Sequence, residues 1–198
     1  MSSQVEICNR ALNLLATKTI TALSDNTQEA IRCNLIYNTA RDGVLRDHPW
    51  GFARASGTLA ILSDETVNGW DYLYVYPTKC LKILNLFEDS DNRNADGIEW
   101  KEYMSPTTKQ RSIATDISPA YVEYIYQVTD TTQYDQKFVE ALSFKLASEL
   151  AKPLTGNMDA GIKFMQMYSA IISDAKKHDS EESNFKESRD SSYLTARE

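Results

Sequence analysis

Histidine is nearly absent from this chain of 198 residues, and its scarcity removes most of the chemistry that polar side chains ordinarily support. His48 stands before a proline and His178 at the end of a helical stretch, neither with His, Cys or Asp neighbours at metal-ligand spacing. His178 there complements a helix dipole, and no Ser, His and Asp arrangement is recognisable. The seven glycines are scattered and form neither G-x-x-x-x-G-K-S/T nor G-x-G-x-x-G, so nucleotide hydrolysis is not expected. Three cysteines, Cys8, Cys33 and Cys80, make no C-x-x-C pair; they are expected as reduced, buried, small apolar side chains.

Positive charge is also in deficit. A formal net charge of -7 and a pI near 5.0 exclude a protein that wraps nucleic acid, which needs clustered Lys and Arg. An acidic surface past which DNA slides is compatible with this balance. No apolar run approaches the roughly 20 residues that cross a bilayer. Nor does a signal peptide head the chain, so export by the usual route is not expected. These absences lead to an expectation of no catalytic residues, no metal, no cofactor and no membrane insertion.

What is present is patterned helix. Ser3 and Glu6 form a capping box that starts a first helix, with Val5, Cys8, Leu12 and Leu15 on one stripe and Ile7, Ala11 and Leu14 on a neighbouring one. A second helix is capped by Asp25 with Gln28 or by Asn26 with Glu29. Its stripe of Ala30, Cys33, Tyr37, Ala40 and Val44 follows the helical repeat, while Ile31 and Leu35 lie on another side. Pro49 ends this helix near Asp47, because proline biases the residue before it away from helical geometry. Pro49, Trp50 and Phe52 then read as a hinge where helices give way to sheet.

The period changes from 3.6 to 2 beyond that point. Strands are expected at Thr58–Leu62, in Trp70–Pro77, at Cys80–Phe87 and near Ile98–Met104, Arg111–Thr115 and Tyr121–Val128, with Glu88–Gly97 an exposed loop. Helices resume near Thr132, with Val139, Leu142, Leu146 and Leu150 on one side and Phe144 nearly opposite. Pro153 is expected to stop this helix. The last helix carries Met158, Ile162, Met165, Tyr168 and Ile172 on one face and Phe164, Met167 and Ile171 on another. Helices apolar on two sides need a second covering surface. Ile31, Leu35, Phe144, Phe164, Met167 and Ile171 are therefore the candidate subunit interface.

The expected architecture is α+β: a four-helix bundle with a small antiparallel β insertion between helices 2 and 3. Its divisions are 1–56 and 130–178 for the bundle, 57–129 for the insertion and 179–198 for an extended tail. That tail is rich in Ser, Glu and Asp, with isolated Phe185, Tyr193, Leu194 and Arg197 as candidate docking residues, a composition that equally suits a solvated terminus. Two rival functions sit on the insertion. Glu88, Glu99, Glu102 and Glu123 supply carboxylates for a polysaccharide or peptidoglycan hydrolase, although 28 acidic residues always furnish some pair. Tyr72, Tyr74 and Tyr76 offer a sugar-stacking face, and the opposing reading is a strand packed on both faces, since these rings alternate at strand period with aliphatic residues.

Four stretches, EICNRALNLLATKTITALSD, EAIRCNLIYNTARDGVLRDHPWGFA, YPTKCLKILNLF and YQVTDTTQYDQKFVEALSFKLASELAKPLTG, together with the ending SSYLTARE, resemble the tail tubular protein A-like head-to-tail adaptors of short-tailed bacteriophages. The resemblance spans roughly residues 4–178 and rests on order, spacing and the aromatic and proline punctuation. It implies a homo-oligomeric ring of twelve subunits in the virion, assembled in the host cytoplasm, between the portal protein and the next tail tube or nozzle protein. Genome DNA would pass through without specific binding. No catalytic or metal residues come with it.

Overall fold

A computed structural model describes residues 3–63, 65–67, 69–88 and 98–184, with the side chains of 178–184 excepted. The chain divides into two compact units, a helical one formed by 1–48 with 131–198 and a β unit formed by 49–130.

In the helical unit, α1 (Gln4–Leu14) starts at the expected capping box: Ser3 N–H donates to Glu6 Oε2 at 2.7 Å and Glu6 N–H to Ser3 Oγ at 3.2 Å. α2 (Gln28–Asp47) is capped by Thr27, whose hydroxyl accepts from Ala30 N–H, rather than by Asp25 or Asn26. Asp25 instead closes the preceding turn, accepting from Ala22 N–H and from the N–H and hydroxyl of Thr21, and these donors hold its carboxyl below the usual range. The helix stops at Asp47, with His48 in extended geometry before Pro49.

α3 (Gln136–Thr155) begins at Asp135, which accepts from Phe138 N–H at 2.6 Å, after a short 3₁₀ turn at Thr131–Gln133. Pro153 lies inside α3 and does not stop it. Near the C-terminus the missing amide costs one hydrogen bond, and termination falls to Gly156, left-handed at φ 71, whose N–H reaches Lys152 O. α4 (Met158–Asn184) continues past the expected boundary at 178.

α3 packs against each of the other three helices, whereas α1 and α2 meet only slightly. Its buried set, Phe138, Val139, Ala141, Leu142, Ser143, Leu146, Ala147, Leu150 and Ala151, therefore covers much of its circumference. α4 is tied to α2 as well: the Tyr168 hydroxyl donates to the Asp47 carboxylate, and Lys145 of α3 places its ammonium 5.5 Å from the Tyr168 ring. Burial, with the Asp47 carboxylate beside it, pushes the Tyr168 hydroxyl pKa upward. Tyr168→Phe is expected to cost about 1–2 kcal/mol in urea unfolding, because a bond to a charged acceptor is lost while the ring remains.

The β unit corrects the expected architecture. A simple four-helix bundle with one small inserted sheet is not what forms; four helices accompany two three-stranded antiparallel sheets, the strands lying between α2 and α3. One sheet has the order β1 (Arg54–Thr58), β6 (Tyr121–Tyr126), β3 (Cys80–Phe87). The other has β2 (Tyr72–Val75), β5 (Arg111–Thr115), β4 (Trp100–Met104). The division follows from pairing between strands distant in sequence: β3 pairs with β6, with Leu86 opposite Val122, while β2 pairs with β5, with Tyr74 opposite Ile113. Consecutive β2 and β3 thus enter different sheets through a turn in which Lys79 takes φ 56.

Both sheets contribute to one core of Leu59, Tyr74, Cys80, Ile83, Leu86, Ile113, Ala120 and Val122. Two inward faces burying apolar area against each other need more chain than a single half-solvated sheet. The expected first strand at Thr58–Leu62 also shifts. Arg54–Thr58 pairs with β6, and only Ile61 bridges to Tyr74 beyond it.

Candidate interaction surface

Ile31 and Leu35 project from α2 on the side away from its buried stripe of Ala30, Cys33, Tyr37, Ala40 and Val44, and are 48% and 69% exposed. The helical repeat produces this arrangement, since the two stripes of one helix cannot both face α3. They are large aliphatic groups that the described residues leave uncovered.

The other candidate interface residues behave differently. Phe144 of α3 and Phe164 of α4 are half-buried and pack against each other, their ring centroids 6.2 Å apart and their planes 30° from parallel. They therefore join two helices of one subunit, with only their outer edges left for a neighbour. Ile171 is half-buried and Met167 exposed.

On α4 the sequence pattern misplaces the core stripe. Met158, Ile162 and Met165 were expected to share a face with Tyr168 and Ile172; only the latter two, with Ala175, are buried, and the first three are exposed. The reason is Gly161. A Cβ there would lie 3.0 Å from Ser148 O of α3, so α4 makes its close approach through a residue with no side chain. The true stripe runs through Gly161, Tyr168, Ile172 and Ala175, and large side chains fall along both flanks. Met158, Ile162 and Met165 line a shallow groove of about 330 Å³ with Ser148, Glu149, Lys152 and Gly161. A second groove, about 440 Å³, is lined by Arg10, Asn13 and the exposed Leu14 of α1 and by Glu140, Ser143 and Phe144 of α3.

Of the residues proposed for rival chemistry, Glu102, Glu123, Tyr74 and Tyr76 are engaged in local contacts. Glu102 accepts from Arg111 at 2.7 Å and from the Tyr76 hydroxyl at 3.3 Å, and the Arg111 guanidinium stacks 3.9 Å from the centre of the Tyr76 ring. Burial is the main cause pushing the Tyr76 hydroxyl pKa upward. Glu123 faces Arg54 at 3.8 Å in the other sheet, and Glu88 and Glu99 are exposed. Tyr74 is 2% exposed and donates its hydroxyl to Ile117 O at 2.9 Å, and is thus part of the core rather than a stacking platform. Among the described residues no group of three His, Cys, Asp or Glu is arranged to hold a metal ion. No described helix is long and apolar enough to cross a membrane.

Pro49, Trp50 and Phe52 open the β unit, with Trp50 buried and the other two half-buried; the Trp50 and Phe52 rings lie 6.4 Å apart. The docking candidates Phe185, Tyr193, Leu194 and Arg197, and most of the loop expected at Glu88–Gly97, lie outside the described residues. No protein-family model and no curated protein matches this chain.

Proposed function

We propose that this chain is a structural subunit of a head-to-tail adaptor ring in a short-tailed bacteriophage, seated between the portal and the next tail component and surrounding the path of the ejected genome. The observation that carries this reading is the set of large apolar side chains on α2 and α4 left uncovered among the described residues. Different patches on one molecule suit a head-to-tail contact between copies, and such contacts close into a ring when the rotation allows. The resemblance to the tail tubular protein A-like adaptors supplies the ring and its neighbours. The engagement of Glu102 by Arg111 and Tyr76 favours a mechanical role over carboxylate chemistry. The acidic balance of -7 suits a conduit that does not hold DNA.

The test is to mix the full chain with portal rings of the same phage and image the mixture by negative stain. Portal rings capped by an added ring of density are expected. A chain ending at Asn184, without Phe185, Tyr193, Leu194 and Arg197, is expected to keep its thermal transition and lose the capping. Capping by the shortened chain would remove the tail from the docking role, and bare portal rings with the full chain would overturn the function.

A further inference from the structure

We infer that the groove between α1 and α3 is the socket of a head-to-tail contact, and that its occupant is the Ile31 and Leu35 ridge of a second copy of this chain. The inference rests on association of the chain with itself, which it shares with the adaptor reading, and adds which face meets which. α2 touches α1 lightly and is held to α4 by the bond between Tyr168 and Asp47, so α1, α2 and α4 stand in that order around α3. The fourth side of α3, between α1 and α4, is open among the described residues. Phe144 marks that side, because it lines the groove with Arg10 and Leu14 of α1 and also packs on Phe164 of α4.

The ridge lies on the far side of the helical unit. At about 100° per residue, Ile31 and Leu35 stand roughly half a turn from the buried stripe by which α2 packs on α3. Ridge and socket therefore occupy opposite faces. Such a contact does not close as a two-fold pair; it repeats from copy to copy, and a small rotation at each step closes it only after many subunits.

Shape and charge choose this socket over the α4 groove. It is the larger of the two, about 440 Å³ against about 330 Å³, and offers Leu14 and the outer edge of Phe144 to an incoming aliphatic pair. An i, i+4 ridge seated in an apolar groove is a recurring way for helices to be bound. The flanks match as well. Arg32 and Asn34 are exposed on the two sides of the ridge, and Glu140 and Arg10 are exposed on the α3 and α1 walls of the socket. Docking sets Arg32 against Glu140 and the Asn34 amide against Arg10. In the α4 groove the acid Glu149 is already paired with Lys145 at 3.4 Å, which leaves Lys152 to meet Arg32 with like charge.

The experiment uses two full-length variants, one without the ridge (Ile31→Ser with Leu35→Ser) and one without the socket (Leu14→Lys with Glu140→Lys). All four positions are exposed, and circular dichroism checks that each variant folds. Each is expected to self-associate on the order of 100-fold more weakly than the parent chain. Mixed together, they should form a one-to-one dimer that grows no further, because one supplies an intact socket and the other an intact ridge. Sedimentation velocity reads this outcome. In parallel, p-benzoylphenylalanine in place of Leu35 should photo-crosslink a second chain through the tryptic peptides 11–18 and 138–145, in the free chain or on portal rings. A socket variant that assembles like the parent, two variants that stay apart when mixed, crosslinks into 158–165 instead, or no crosslink between chains in either setting would each overturn the docking. The crosslinks decide the matter even where a variant fails to fold. Bare portal rings with crosslinks into the socket would remove the adaptor function and leave the docking, and capped portal rings with crosslinks elsewhere would do the reverse.

Discussion

Replacing Ile31 and Leu35 together by Ser is expected to leave the chain folded and to break its association with further copies. Both side chains lie outside the core of their own subunit, so removing them vacates no cavity. The helix loses a little propensity at two exposed sites, for a total of roughly 0.5–1 kcal/mol. In the proposed ring the same side chains are covered by a neighbour. Burying the exposed part of each contributes about 1–2 kcal/mol, so each interface loses roughly 2–4 kcal/mol, a 30- to 1,000-fold weaker association. A closed ring contains that loss at every interface, and assembly should fail at concentrations where the parent chain assembles. Sedimentation velocity with circular dichroism melting separates the two effects. Unchanged assembly by the double variant would move the interface to another candidate surface, such as the groove of Met158, Ile162 and Met165 on α4.

What the sequence disclosed and what it withheld divide along the range of the forces involved. The Ser3 and Glu6 capping box and the stop at Asp47 were legible because each depends on residues within four positions of one another. The cap of α2 was ambiguous for the same local reason: Asp25, Asn26 and Thr27 are all capable, and the choice fell to Thr27 once Asp25 was engaged by Thr21 and Ala22. Strand existence was largely visible from the alternation in Trp70–Pro77 and Cys80–Phe87. Strand partnership was not, because β3 finds β6 and β2 finds β5 across dozens of residues, with no signal in either strand alone.

The candidate surface shows the same limit. Ile31 and Leu35 stood out because Ala30, Cys33, Tyr37, Ala40 and Val44 follow the helical repeat along one side of α2 and leave these two large residues on another. On α4 the core stripe includes Gly161 and Ala175, which a search for large side chains passes over, so Met158, Ile162 and Met165 were assigned to the wrong side. Close helix approach is recorded in sequence as the absence of a side chain, and that absence is legible only when the partner backbone, here Ser148 O, is known.

The second large effect belongs to Trp50. Only 3% of it is exposed, and it opens the β unit immediately after Pro49, where the chain leaves helical geometry. Trp50→Ala is expected to cost roughly 3–5 kcal/mol in guanidinium unfolding, the range for truncating a buried aromatic side chain to a methyl group. Against a typical total stability of about 5–15 kcal/mol, that loss brings a marginal protein close to unfolding. Phe52→Ala is the internal comparison. Its ring is half-buried, so its truncation should cost about half as much, and the ratio between the two reads burial rather than aromatic character. The Ser double variant on α2 and the Trp50 variant should then fail in opposite ways, one folded and unassembled, the other destabilised before assembly is reached. A Trp50→Ala chain that unfolds within 1 kcal/mol of the parent yet forms no rings would transfer Trp50 from the core to the contact between subunits.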